Sequence, residues 1–347
     1  MMVILAVSAG IMTLIGVYYT GAHSAESGWA RVEVSIAAGV NGARMQMPLS
    51  SPFKMTHKPP RMGVLAAADG ALQSIRLFNK FDQVIGSEDG WLYVPSGKCE
   101  EWVIALYGGE EQVAYIQLEA TTDAICVPLV ALRGPDETEM GWLGDWGREC
   151  GLKWFMSNYK VSEESNYRPA CTWLDYDGSS GIQVAKLKIH LPSFNRLEPP
   201  LNRTEVHTYC HKPYLQAWTI RNDIYTRIRR GINEQDGYQG SHWLQRRGMS
   251  KFQSQLVISN QQAHNATDLC LSPTSVGPSF VSLHQGLFCD METRQLLPLC
   301  VPSQIETQDC FDMQEKKALM KRSQDSRLGA RHETFQYRVF EKVTQWE

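Results

Sequence analysis

Tryptophans and carboxylates are concentrated between residues 142 and 177, and their chemistry suggests two different roles. The residues concerned are Trp142, Trp146, Trp154, Trp173, Asp145, Asp175 and Asp177. Aromatic rings beside carboxylates suit sugar binding, and two carboxylates about 5 to 10 Å apart can hydrolyse a glycosidic bond. Tryptophans also fill hydrophobic cores, and no glycosidase motif accompanies these. The pattern leaves both alternatives open and favours a core with the acids in turns.

The run Asp175-Tyr-Asp177-Gly178-Ser-Ser-Gly181 begins like a calcium-binding loop. Its acids alternate, and a glycine that permits a sharp turn follows them. The glutamate that such a loop needs at its twelfth position is absent, since Ala185 or Lys186 falls there. We therefore predict a turn that leads into a strand, without calcium.

Two histidines and a cysteine fall within five residues in His207-Thr-Tyr-Cys210-His211. On a helix, His207 and His211 would share one face and could bind zinc. Pro213 and the residues before Cys210 favour an extended chain instead, and an exported cysteine is more often oxidised than metal-bound. We therefore predict no metal and no other cofactor, with His207 and His211 as the alternative zinc ligands.

Recurrent catalytic motifs are missing from the chain. It contains no Gly-x-Ser-x-Gly elbow, no HExxH, no P-loop and no Gly-x-Gly-x-x-Gly run that opens a helix. Lys and Arg number 34 against 37 Asp and Glu, which gives no overall field to attract nucleic acid. These observations favour a non-enzymatic protein without a nucleic-acid partner.

Residues 1–25 have the character of a signal peptide. They contain no Asp, Glu, Lys or Arg, and an apolar run over 3–19 is followed by small residues up to Ala22 and Ala25. About 17 apolar residues is also the lower limit for crossing a bilayer, so an uncleaved anchor is the alternative. We predict cleavage, secretion and no membrane association afterwards.

Nine cysteines in an exported chain predict disulfides and one unpaired thiol. The residues predicted to be bridged are Cys99, Cys126, Cys150, Cys171, Cys270, Cys289, Cys300 and Cys310, which leaves Cys210 as the odd thiol. Cys99 and Cys126 flank a block of strands that a bridge between them would join, and the remaining connectivity stays open. Asn202 and Asn265 begin Asn-x-Thr sequons and are predicted glycosylation sites on exposed loops.

Short strand-like runs with turn residues between them predict a mainly β fold. The predicted strands are 31–36, 72–78, 90–94, 101–107, 112–118, 124–132, 186–191, 251–259 and 333–346, with a helix at 314–322. The fold class that follows is a disulfide-stabilised, sandwich-like domain with a cysteine-rich C-terminal portion and little helix.

The predicted organisation has five parts. These are a signal peptide at 1–25, a poorly packed segment at 26–61, a β-rich domain at 62–195, a polar connection at 196–250, and a cysteine-rich portion with a terminal strand at 251–347. We expect this last part to pack on the β-rich domain.

Five passages of the chain are distinctive when they are taken together: Trp154-Phe-Met-Ser-Asn, Cys171-Thr-Trp-Leu-Asp-Tyr-Asp-Gly, Asp268-Leu-Cys270-Leu-Ser, Gly277-Pro-Ser-Phe-Val-Ser and Gly286-Leu-Phe-Cys289-Asp-Met. They resemble a group of uncharacterised, secreted, cysteine-containing proteins of filamentous fungi. That group is expected to have a histidine where this chain has Gly178, which weakens any metal or catalytic role there. The resemblance implies a secreted fungal-type protein and brings no activity with it.

The predicted function is that of an extracellular protein that acts at the cell wall or toward a host. Its expected partner is a cell-wall polysaccharide or a host protein. The alternative is an extracellular carbohydrate-active hydrolase that uses Asp145, Asp175 or Asp177.

Overall fold

The computed structural model describes residues 30–39, 69–107, 111–161, 166–178, 181–194, 203–219, 252–301, 309–320 and 336–346. These residues form twenty strands and four short helices, which confirms the predicted mainly β fold with little helix. The predicted signal peptide and Asn202 lie outside the described residues. Within them, none of the helices has the length and apolar character needed to cross a bilayer.

The strands are β1 (Arg31–Ala37), β2 (Gly70–Phe78), β3 (Val84–Val94), β4 (Cys99–Ala105), β5 (Tyr115–Ala120), β6 (Ile125–Val127), β7 (Leu129–Arg133), β8 (Glu139–Leu143), β9 (Trp154–Phe155), β10 (Cys171–Leu174), β11 (Lys186–His190), β12 (Leu215–Trp218), β13 (Gln255–Ser259), β14 (Ser279–Ser282), β15 (Leu287–Asp290), β16 (Gln295–Pro298), β17 (Cys310–Asp312), β18 (Lys317–Met320), β19 (Gln336–Val339) and β20 (Lys342–Trp346). The helices are α1 (Asp145–Glu149), α2 (Leu191–Phe194), α3 (Arg203–Tyr209) and α4 (Ala266–Leu271).

Two antiparallel sheets form the N-terminal sandwich. One has the order β4-β1-β7-β8, and the other has the order β12-β11-β5-β2-β3. Alternate residues of each strand point toward the opposite sheet, so that Val34 of β1 and Ile75 and Leu187 of the other sheet enter one core. This packing confirms the sandwich-like architecture.

The strand β1 was predicted correctly, but its surroundings were not. It lies between β4 and β7 in the middle of its sheet, and its inward side chains Val32, Val34 and Ile36 are fully buried. The prediction of a poorly packed segment is therefore wrong for residues 30–39. The rest of that segment, up to residue 61, lies outside the described residues. The error arose because both partner strands come much later in the chain.

The predicted polar connection also contains part of the sandwich. Within 203–219 the chain forms α3 and then β12, which pairs with β11. Leu215 and Ala217 of β12 alternate into the core, so their burial explains why this short run joins the sheet.

The C-terminal portion has a mixed sheet with the order β16-β15-β14-β13-β20 and a small antiparallel sheet with the order β17-β18-β19. The helix predicted at 314–322 is wrong, because β18 occupies residues 317–320 as one arm of a hairpin. The Asp312 side chain accepts hydrogen bonds from the backbone N–H groups of Gln314 and Glu315, and these bonds shape the turn before β18. Such a short apolar run does not distinguish helix from strand by its periodicity.

The predicted terminal strand is divided in two. Its first part is β19, and its second part is β20, which pairs in parallel with β13 of the C-terminal sheet. Phe340 is buried between the two strands, and Trp346 at the end of β20 is also buried. The terminal strand therefore belongs to the C-terminal sheet and to neither sheet of the sandwich.

A hydrophobic cluster separate from the sandwich core joins the N-terminal and C-terminal portions. Trp154 and Trp173, from the small sheet β6-β10-β9, pack in one cluster with Phe280 and Trp346. The Trp154 backbone donates to Thr274 O at 3.2 Å and accepts from Val276 N at 2.9 Å. We call this region the junction, and it holds the cysteine-rich portion against the sandwich.

Four disulfides are formed: Cys126–Cys171, Cys150–Cys210, Cys270–Cys289 and Cys300–Cys310. The predictions for Cys99 and Cys210 are wrong, because Cys210 is bridged and Cys99 is the free thiol. Cys126 lies in β6 beside β10, which carries Cys171, whereas Cys99 begins β4 in another sheet. Burial raises the pKa of the Cys99 thiol to about 11, so this thiol stays protonated at neutral pH.

Candidate functional site

The tryptophans of residues 142–177 are interior residues. Trp142, Trp154 and Trp173 are almost fully buried, and Trp146 packs between Phe194 and Tyr209. Trp142 belongs to the sandwich core, whereas Trp154 and Trp173 belong to the junction. The structure therefore distributes these four side chains between two cores and forms no open aromatic groove from them.

The three candidate acids lie in three different surroundings. The Asp145 carboxylate accepts hydrogen bonds from the Tyr167 hydroxyl at 2.6 Å and from Ala170 N at 3.1 Å. Burial raises the pKa of Asp145, and these two hydrogen bonds act against that rise. Asp175 is fully buried after β10, and Asp177 is exposed in the following turn. Asp175 is therefore enclosed by protein, whereas the half-buried Asp145 is held by its hydrogen bonds to Tyr167 and Ala170.

The acidic run after β10 forms a turn, as predicted. Gly178 and Gly181 both have positive φ angles, near 70°, which favour glycine. Gly181 N donates to Gly178 O at 3.0 Å, and β11 begins five residues later. Residues 179–180 lie outside the described residues.

The histidine pair lies on a helix end, so the prediction of an extended chain is wrong. His207 belongs to α3, and the ring centroids of His207 and His211 are 4.7 Å apart. Cys210 between them is bonded to Cys150 and has no thiolate to offer a metal. In the described ranges, no group of three His, Cys, Asp or Glu side chains is arranged to hold a metal ion.

Ser259 and His264 form a hydrogen-bonded pair that sequence reasoning missed. Ser157 O can only accept, so His264 Nε2 donates to it at 3.1 Å, and Nδ1 then accepts from the Ser259 hydroxyl at 2.7 Å. This arrangement resembles a hydroxyl activated by a base. Both side chains are buried, however, and the imidazole packs on Phe280 and Trp346. The pair therefore stabilises the junction. Because both side chains are buried, a substrate has no access to them.

The buried histidine predicts a loss of stability in mild acid. Burial is the main cause that lowers the pKa of His264 from 6.5 to about 4, Arg168 adds to the lowering, and the bond to Ser157 opposes it. The folded protein keeps this imidazole neutral, so its stabilising contribution is complete above pH 6.5 and is lost as the pH falls toward 4. We expect this residue to lower the free energy of unfolding by about 2 to 3 kcal/mol between pH 7 and pH 4.5.

Urea unfolding at the two pH values measures this effect. His264→Gln should be less stable than the wild type at pH 7 but should lose less stability on acidification. His284 is exposed, and His284→Gln is the matched control that should keep the wild-type pH dependence. An unchanged pH dependence in His264→Gln would contradict the assignment.

The outer surface of the five-stranded sheet carries polar and aromatic side chains at neighbouring register positions. Leu187 and Ile189 of β11 face the core, so the residues that alternate with them face outward. The outward set, which we call the polar face, comprises Gln216 and Trp218 on β12, Lys186, Lys188 and His190 on β11, Tyr115, Gln117 and Glu119 on β5, Ser74, Arg76 and Phe78 on β2, and Ser87 and Asp89 on β3. Ser74, Phe78, Glu119 and Lys188 in the middle of this face are buried, Asp89 is exposed, and the other members are half-buried.

The cations of the polar face each have an acidic partner. Lys186 Nζ lies 2.9 Å from Glu119, and Arg76 lies 3.9 Å from Asp89. Lys188 pairs with Asp82, and its ammonium lies 3.5 Å from the centre of the Phe78 ring. Three positive charges are therefore balanced by three negative ones, so the face has hydrogen-bonding groups and little net charge.

Exposed aromatic residues flank this face at the edge strand β3. Leu92 and Val94 point into the core, so Trp91 and Tyr93 point outward, with 58% and 41% of their surfaces exposed. The Tyr93 hydroxyl donates to Asp69 at 2.6 Å, which holds the ring in place. The alternation in Gly90-Trp-Leu-Tyr-Val was a signal for these outward rings, but it was used only to predict the strand. We call Trp91 and Tyr93 the aromatic edge.

No family model matches this chain, and no curated protein is detectably similar to it. The resemblance to secreted fungal proteins stays a prediction. Any functional proposal therefore depends on the site itself.

Proposed function

We propose that this protein is a non-catalytic, extracellular binding protein that binds a neutral polysaccharide on the polar face and the aromatic edge. The observation that carries the proposal is the exposure of Trp91 and Tyr93 beside a sheet surface whose charges are paired. A sugar ring has an apolar face that packs on an aromatic ring and hydroxyls that hydrogen-bond to amides and paired charges. A surface without net charge gives no preference to ionic ligands.

The proposed location is extracellular, at a fungal-type cell wall or at the surface of a host. Four disulfides favour an oxidising compartment, and the signal peptide predicted at residues 1–25 provides the route. The expected partner is a wall polysaccharide, with a host protein as the alternative. The hydrolase alternative loses support because Asp175 is buried and Asp145 is held by Tyr167 and Ala170.

Replacing Trp91 by alanine should weaken polysaccharide binding about tenfold, which corresponds to about 1.4 kcal/mol for one lost aromatic contact. The measurement is depletion of the disulfide-intact protein from solution by insoluble chitin, β-glucan and cellulose. Stability should change little, because more than half of the Trp91 surface is already exposed.

Val103 provides the control for this experiment. It is an exposed apolar residue on β4 of the opposite sheet, so Val103→Ala should bind like the wild type. Equal binding by Trp91→Ala and the wild type would refute the proposed surface. If the wild type binds none of the polysaccharides but binds a host-cell extract, the host-protein alternative replaces the polysaccharide.

A further inference from the structure

The Asn265 side chain makes its hydrogen bonds through the amide oxygen, Oδ1. It is the N-cap of α4, where its Oδ1 accepts from Asp268 N at 3.0 Å. The same oxygen accepts from Gln285 Nε2 at 2.9 Å, and Gln285 Oε1 accepts from Ala266 N at 2.7 Å. The Gln285 side chain therefore clamps the start of the helix through both of its amide atoms.

The amide nitrogen of Asn265, Nδ2, is available for covalent modification. In the part of the chain that the structure describes, no hydrogen bond involves Nδ2 of this residue. The side chain is half-buried, whereas the nearby Gln262, Ala263 and Asp268 are exposed. Thr267 completes the sequon and takes part in no described side-chain hydrogen bond. Among the described residues, Nδ2 of Asn265 is not one of the buried side-chain atoms that lack a partner, so this nitrogen is accessible to solvent.

We propose that Asn265 carries an N-linked glycan and caps α4 at the same time. The donor is a lipid-diphosphate-linked oligosaccharide. A bond forms between Nδ2 and the anomeric carbon, Nδ2 loses one proton, and the bond from that carbon to the diphosphate breaks with its electron pair leaving on the phosphate. Oδ1 is untouched by this transfer, so both of its hydrogen bonds survive.

This inference rests on the secretion included in the proposed function and is independent of the proposed binding surface. The four disulfides support passage through the compartment in which glycans are transferred. Glycan transfer and polysaccharide binding are measured on different variants, so that one can fail while the other stands.

The experiment secretes the full chain from a eukaryotic host and analyses reduced tryptic peptides by mass spectrometry. The peptide that contains Asn265 should carry a glycan, and peptide N-glycosidase should convert Asn265 to aspartate. Thr267→Ser keeps the sequon and should keep the glycan, whereas Thr267→Ala should abolish it. An unmodified Asn265 peptide in the secreted protein would overturn the proposal, even if Asn202 is glycosylated.

Two further variants separate the glycan from the cap. Asn265→Asp keeps an accepting oxygen and removes the nitrogen that bears the glycan, so it should unfold at the same urea concentration as Thr267→Ala. Asn265→Ala removes both and should unfold at a lower urea concentration than either. If the chain is not exported and Asn265 is unmodified, the proposal fails together with the proposed secretion. Polysaccharide binding by refolded protein is tested separately.

Discussion

Replacing Cys126 and Cys171 together by alanine should lower the free energy of unfolding by about 4 kcal/mol. The bridge closes a loop with a sequence separation of 45 residues, so its loss returns much conformational freedom to the unfolded chain. Both cysteines are fully buried, and Cys171 Cβ lies against Gly39 just after β1. The double variant therefore also leaves a cavity where β10 contacts the sandwich, and this cavity lowers the free energy of unfolding further.

The Cys300–Cys310 bridge is the matched control, because it closes a loop of only 10 residues. The same chain-entropy relation predicts a loss of about 3 kcal/mol for its double alanine variant. Urea unfolding of both variants, with the other three bridges intact, makes the comparison. A smaller loss for Cys126/Cys171 than for Cys300/Cys310 would contradict the predicted order.

Replacing Trp173 by alanine should lower the free energy of unfolding by about 3 to 5 kcal/mol. The side chain is fully buried in the junction, where its ring centroid lies 5.4 Å from that of Phe252. Its Nε1 also donates to Val276 O at 2.8 Å, so truncation removes a buried volume and a hydrogen bond together. Chemical unfolding followed by circular dichroism measures the loss.

A pair of phenylalanine variants isolates the hydrogen bond. Trp142 is also almost fully buried, but among the described residues its Nε1 has no hydrogen-bond partner. Trp173→Phe should therefore cost about 1 to 3 kcal/mol more than Trp142→Phe, since only the former leaves a carbonyl without its donor. Equal losses in the two variants would mean that the bond to Val276 contributes nothing.

Local alternation was sufficient to predict many of the strands. β1 and β11 each place apolar residues at every second position, and this pattern depends only on neighbours in the chain. Strand pairing depends on distant segments, so the central position of β1 was not predictable from its own residues. The 314–322 segment shows the limit of local patterns, since four residues of β18 are too few to define a period.

The candidate sites differ in how much the sequence revealed. The preference for a tryptophan core over a sugar groove agrees with the burial of Trp142, Trp154 and Trp173. His264 and Ser157 are 107 residues apart in the sequence, so no local motif predicts their contact. The polar face requires the register of five strands, so it exists as a surface only after folding.

The central position of β1 affects the order in which this protein can fold during synthesis. Among the described strands it leaves the ribosome first, but its pairing with β7 is complete only after Arg133 has emerged. Until β4 emerges, Val32, Val34 and Ile36 form a β-prone apolar segment without a partner strand, and one edge of β1 stays unpaired until β7 follows. An unpaired segment of this kind aggregates or binds chaperones. The N-terminal sandwich is therefore dominated by long-range pairing, and slow, late closure of this sheet is the expected kinetic consequence.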